Sequence, residues 1–247
     1  MSGVEAVLVA LAGFGAGAIN AVVGSGTLIT FPTLLAVGLP PVVANVSNTV
    51  GLVPGSVAAA WTYRRELTGQ RSRVLRLASA TVLGAIVGAV LLLVLPESSF
   101  EAVVPLLILL GCVLVVIQPW LLHRLAGRSR QHHGGPLVWL GVLAIGVYGG
   151  YLGAGQGVLL IAVLGAGLDE TLQRVNATKN VLAGLANLVA ALIFVVLADI
   201  DWGAAALIAV GATLGGLVGA GLARRLPEVV LRATVVVIGL VAVVSLR

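Results

Sequence analysis

The chain is poor in everything a water-facing surface needs. Only 9% of its 247 residues are charged, against roughly 25% in soluble domains. It has one cysteine, Cys112, inside an apolar run, so no internal disulfide can form and redox compartment cannot be read from it. Its three histidines, His123, His132 and His133, share one short basic loop at a spacing that suits no metal site. Every Asp and Glu sits in a loop or at a segment end, so the chain offers no candidate for a buried carboxylate proton relay. No polar loop exceeds about fifteen residues, so no soluble domain interrupts the chain. Without clustered acid–base pairs or metal ligands, an enzyme is not expected, and neither a cofactor nor a metal is called for.

What remains is hydrocarbon and glycine. Hydrophobic residues make up 60% of the chain and mean hydropathy is +1.15. Runs of roughly 20 apolar residues can span a bilayer. Such runs lie at 42–63, 74–95, 102–122, 175–198, 203–223 and 229–246. Two longer stretches, 4–38 and 137–168, exceed one span and are interrupted by glycine. The opening carries no basic residue, so a cleaved signal peptide is not expected. The pI near 10.3 comes from arginines gathered in short loops, as cytoplasmic loops require, and no nucleic-acid partner is implied.

The chain also repeats itself at an offset of 131 residues. Gly24-Ser25-Gly26 falls on Gly155-Gln156-Gly157, and Asn45-Val-Ser-Asn-Thr49 on Asn176-Ala-Thr-Lys-Asn180. Leu83-Gly84 and Val87-Gly88-Ala89 fall on Leu214-Gly215 and Val218-Gly219-Ala220. Equivalent loops differ in charge. The loop with Arg64, Arg65, Arg71, Arg73 and Arg76 matches the acidic turn at Asp199 and Asp201. The Pro96–Glu101 turn, with no basic residue, matches the stretch after Arg224-Arg225. The positive-inside rule then places equivalent loops on opposite sides. For this to hold, 4–38 and 137–168 must each enter and leave on one side, as hairpins bent at their glycines. The competing arrangement makes each a single long tilted helix and the repeats parallel.

The expectation is therefore an all-α integral membrane protein of two inverted repeats. Each would hold one glycine-broken helical hairpin and three transmembrane helices. The first repeat is 1–122, a basic cytoplasmic linker is 123–136, and the second repeat is 137–247, all within one membrane domain. Such duplications carry their binding site between the halves.

Irregular backbone at membrane depth persists only where protein or a water-filled cavity satisfies it. The breaks at Gly24, Ser25, Gly26 and Thr27 and at Gly155, Gln156 and Gly157 are thus candidates to line a site, with Asn20 and Tyr151 just before them. The polar quartets Asn45, Ser47, Asn48 and Thr49, and Asn176, Thr178, Lys179 and Asn180, each open an apolar helix. Capping of their own helices is the plain reading. The functional one is an anion held at helix N-termini. Lys179 is the only lysine and has no acidic neighbour in any span. It either snorkels to the interface or offers a fixed positive charge to the pathway. The pairs Gly13/Gly17, Gly84/Gly88 and Gly215/Gly219 read as helix contacts.

These motifs carry a resemblance. Asn20-Ala-Val-Val-Gly-Ser-Gly-Thr-Leu-Ile-Thr-Phe-Pro32 with Ala44–Thr49, and Gly146-Val-Tyr-Gly-Gly-Tyr-Leu-Gly-Ala-Gly-Gln-Gly157 with Asn176–Asn180, resemble the sulfite exporter TauE/SafE family over nearly the whole chain. The resemblance implies a multi-pass inner-membrane transporter of sulfite, sulfonates or other small organosulfur anions. An anion channel without alternating access is the alternative. The implied partners are a small anionic substrate, the lipid bilayer and a second copy in a homo-oligomer.

Overall fold

The computed structural model describes residues 1–125 and 135–222, together with positions 233, 236–238 and 240. Nine helices lie in the described chain: α1 (Gly3–Val22), α2 (Thr27–Ala36), α3 (Pro41–Thr62), α4 (Arg71–Val94), α5 (Glu97–Leu125), α6 (Pro136–Tyr151), α7 (Gln156–Gly167), α8 (Leu172–Leu197) and α9 (Trp202–Leu222). Six are long and apolar enough to cross a membrane: α1, α3, α4, α5, α8 and α9. Apart from positions 233, 236–238 and 240, the expected span 229–246 falls outside the described residues, as do the Arg224-Arg225 turn, His132 and His133.

Neither long stretch is a single helix. Segment 4–38 breaks between Val22 and Thr27, and segment 137–168 breaks between Tyr151 and Gln156. Gly24, Gly153 and Gly155 have φ of +82°, +72° and +74°, a conformation costly to any residue with a Cβ. Both breaks reverse the chain. A Cβ at Gly26 would lie 2.7 Å from Ala16 O on α1. In the second stretch a Cβ at Gly141 on α6 would lie 2.9 Å from Val163 on α7, and Gly167 abuts Val138. Each pair is therefore a helical hairpin.

The helices form a bundle with two distinguishable ends. At one end the start of α9 meets the start of α3, where Asp201 N donates to Ser47 Oγ at 2.9 Å. At the other, the start of α4 meets the start of α8. There Arg73 NH1 binds Glu170 Oε1 at 2.8 Å, and Arg174 Nε binds Glu170 Oε2 at 2.6 Å. Thr178 Oγ1 donates to Gln70 Oε1 at 3.1 Å. Ser47 and Thr178 are repeat equivalents, as are Gln70 and Asp201. The same joint is thus built once at each end, between opposite halves.

Close packing follows the small residues. α1 lies along α9, with Gly13 against Ile208, Gly17 against Ala212, Gly215 against Phe14 and Gly219 against Ala18. α4 lies along α6 in the equivalent way, with Gly84 against Leu143 and Gly88 against Val147. A Cβ at Gly51 of α3 would meet Ile208 Cβ on α9 at 2.7 Å, so three helices share that seam. Lipid tails drive no helix association by hydrophobicity, so packing at small residues has to hold the bundle. Each half is thereby clasped by a helix of the other. The outer surface is apolar, with Leu75, Val94, Leu106, Val113, Val196 and Leu214 exposed. The polar residues are inside: Ser25, Thr30, Asn45, Asn48, Gln156, Asn176, Lys179 and Asn180 are all buried.

Candidate functional site

The two breaks meet. Gly157 N donates to Gly24 O at 3.0 Å, and a Cβ at Gly24 would lie 2.5 Å from Gly157 Cα. Backbones approach this closely only when both residues lack side chains.

Each break leaves carbonyls at the C-terminal end of a helix without intrahelical partners. The polar quartets satisfy them, and they do so across the halves. Asn45 Nδ2 on α3 donates to Tyr151 O, the last carbonyl of α6, at 2.8 Å. Asn176 Nδ2 and Asn180 Nδ2 on α8 donate to Ala21 O on α1 at 3.0 and 3.2 Å. Lys179 Nζ donates to Asn20 O at 2.9 Å. The quartets therefore do not cap their own helices. The N-cap of α8 is Thr171, and that of α3 is Pro40 with no side-chain bond.

Lys179 is fully buried and does not snorkel. Its ammonium lies against the C-terminal end of α1, where the helix dipole favours positive charge. Among the described residues no carboxylate pairs with it. Thr49 Oγ1 bonds back to Asn45 O at 2.9 Å on its own helix. Ser47 and Thr178, expected in the site, serve the end joints instead. Their neighbours Asn45, Asn48, Asn176 and Lys179 face the breaks.

Several buried polar groups near the breaks have no partner among the described residues. Buried side-chain atoms without a partner include Ser25 Oγ, Asn48 Nδ2, Asn45 Oδ1, Asn176 Oδ1 and Gln156 Oε1. Ser25 and Gln156 are repeat equivalents, as are Asn45 and Asn176. At the start of α2, the N–H groups of Ser25, Gly26 and Thr27 have no acceptor among the described residues. Asn48 abuts the same turn, because Thr30 of α2 donates to its Oδ1. Three amides, one hydroxyl and one carboxamide NH2, all on buried residues at α2's first turn and on Asn48 beside it, thus have no partner among the described residues. Each unmet group costs about 1–3 kcal/mol, so a ligand or water must complete them.

The second break is built differently. Gln156 N, Gly157 N and Val158 N donate to Gly153 O, Gly24 O and Gly155 O. Ala154 and Gly155 keep free N–H groups, but no side-chain donor is left free beside them. Gln156 Nε2 reaches Ala183 O at 3.5 Å, and its Oε1 lies against Gly149 and Gly153. Tyr148 OH donates to Ala154 O, bracing the loop. The Tyr151 ring packs edge-on to Phe100 at 5.5 Å. Asn20 contributes its carbonyl, as the acceptor of Lys179.

Sequence reasoning missed the joint at Arg73, Glu170 and Arg174. Of the three, the sequence pattern singles out only Arg73, as a loop charge. Partial burial pushes the Glu170 carboxyl up, but hydrogen bonds and charge from Arg73 and Arg174 outweigh this and hold it below the usual carboxylate range. A shallow groove lies elsewhere, between α6 and α7, lined by Pro136, Leu137, Val138, Val163 and Gly167. It is apolar and carries no chemistry.

The comparisons with known proteins converge. The family described as Sulfite exporter TauE/SafE matches residues 9–246. "Probable membrane transporter protein YfcA" of Escherichia coli (strain K12) is 24% identical over 227 residues, covering 92% of this chain and 83% of that protein. A "Probable membrane transporter protein" of Haemophilus influenzae is 26% identical, covering 91% and 88%. "Probable membrane transporter protein ORF9" of Sinorhizobium sp is 26% identical, covering 96% and 90%. No solved structure matches the chain.

Proposed function

Given that the chain belongs to the sulfite exporter TauE/SafE family and is a multi-pass membrane transporter, we propose that it carries a small sulfur oxyanion, bound at the start of α2. Sulfite, a sulfonate or a related organosulfur anion fits. The observation that carries this reading is the free donor set at Ser25, Gly26, Thr27 and Asn48. Such a set sits at the positive end of a helix, where tetrahedral oxyanions bind. Lys179 adds the one full charge near it, through the neighbouring end of α1.

We further infer an inverted repeat in an inner membrane. In support, equivalent helices α3 and α8 start at opposite ends of the bundle, with Asp201 on Ser47 at one and Arg73 on Glu170 at the other. The α3–α4 connection and the start of α8 gather Arg64, Arg65, Arg71, Arg73 and Arg174 at one end. The other end has Glu97, Asp199 and Asp201. The basic end is then cytoplasmic. Cysteines at 71 and 201 should react with impermeant reagent from opposite sides; reaction from one side would remove the inversion.

The site residues are closed off from solvent, with Ser25 and Asn45 at 0% exposure. Closure favours alternating access over an open channel. The test is uptake of sulfite, thiosulfate, sulfoacetate and sulfate into proteoliposomes, side by side. Saturable uptake of at least one is expected. Uptake of none would sink the anion reading, and conductance too large for a carrier would restore the channel.

A further inference from the structure

The free groups around the crossed breaks are not all donors. Asn45 Oδ1 and Asn176 Oδ1 are buried acceptors without a donor, at equivalent positions of the two halves. Their orientation follows from the bonds already made. Each carboxamide gives its NH2 to a carbonyl that ends a helix of the other half, Tyr151 O or Ala21 O. Turning either amide over would set two oxygens face to face, so an oxygen is what each leaves free. Lys179, one turn beyond Asn176, gives a hydrogen to Asn20 O and bonds neither oxygen among the described residues.

An anion made only of acceptor oxygens would meet the donors of α2 well. It would also set its lone pairs against Asn45 and Asn176. These two flank the breaks: Asn45 is one turn from Asn48 on α3, and Asn176 holds Ala21, three residues before Gly24. Resting on the anion reading above, we propose that the transported substrate carries a hydrogen-bond donor of its own, an O–H or N–H, close to its sulfur oxyanion. Hydrogen sulfite and hydroxylated or amino-bearing sulfonates satisfy this. Sulfate, fully deprotonated sulfite and plain alkanesulfonates do not. A site built around a substrate hydroxyl discriminates strongly against the analogue lacking it, because its own buried polar groups are then stranded.

The test avoids changing pH, which would titrate sulfite and protein together. Tracer sulfite uptake into proteoliposomes of the wild-type chain is competed with ethanesulfonate or with 2-hydroxyethanesulfonate. Both are permanent monoanions of closely similar size, and they differ by one hydroxyl. The hydroxylated anion should inhibit at a concentration about tenfold to a hundredfold lower. Equal inhibition by the two would overturn the proposal and assign the Asn oxygens to trapped water. Uptake of none of sulfite, thiosulfate, sulfoacetate and sulfate would overturn it together with the anion reading, so the two failures are distinguishable.

Discussion

The two glycine breaks descend from one sequence pattern yet end in different chemistry. At the first, the amides of Ser25, Gly26 and Thr27 are free, Ser25 and Asn48 offer unused side-chain donors, and Lys179 sits on the adjoining helix end. At the second, the equivalent amides of Gln156, Gly157 and Val158 are bonded, and Gln156 is turned onto its own hairpin. The repeated motif thus leaves donors unpartnered in one copy, among the described residues, while the other copy braces. The bracing is direct, since Gly157 N spends its hydrogen on Gly24 O.

The largest effect expected of any substitution is at that crossing. Gly24→Ala combines a φ of +82° with a Cβ 2.5 Å from Gly157 Cα, and should cost roughly 2–5 kcal/mol. Gly38→Ala has a similar φ of +87° but open space around it, and should cost only about 1–2 kcal/mol. Thermal unfolding in detergent checks the pair. Similar losses at both positions would deny that the breaks are packed on each other.

Next comes Lys179→Met, which keeps the volume and removes the charge. Sulfite uptake should fall by about tenfold to a hundredfold, as a hydrogen bond from a charged group contributes about 1.5–3 kcal/mol, with the protein still folded by size-exclusion chromatography. Wild-type uptake would take Lys179 out of the site.

A third contrast is between the bundle ends. Glu170→Gln strips the carboxylate from Arg73 and Arg174 and should cost roughly 3 kcal/mol. Ser47→Ala removes a single hydrogen bond at the other end and should cost about 1 kcal/mol. Because the Glu170 pKa is lowered on folding, its contribution is present at neutral pH and is lost as pH falls through that lowered value. Unfolding temperatures of Glu170→Gln and wild type should therefore converge in strongly acid solution. A constant gap down to that range would assign the effect elsewhere.

Much of this was legible beforehand, for local reasons. Glycine at 24, 153 and 155 marks backbone that other residues avoid, and a fixed offset of 131 makes each break check the other. Loop arginines separate the ends by a bias that needs no structure. What could not be read was who bonds whom. Asn45 reaches Tyr151 and Lys179 reaches Asn20 across 106 and 159 residues, and nothing local distinguishes such a bond from a helix cap. Ser47 and Thr178 looked like their neighbours Asn48 and Lys179. Their position on the helix, turned toward the other half's connecting segment, sent them to the joints. Lys179 stands where the first half has Asn48, and its ammonium lies on Asn20 O, near the end of α1 that leads into the first break.

Ser25→Ala tests the central assignment most directly. The substitution removes a buried hydroxyl that bonds to nothing among the described residues, so stability should hold or rise, since an unmet polar group costs about 1–3 kcal/mol. If Ser25 binds the anion, the KM for sulfite uptake in proteoliposomes should rise about tenfold while the unfolding temperature is unchanged or higher. An unchanged KM, or a KM that rises only together with a fall in unfolding temperature, would contradict binding at the first break.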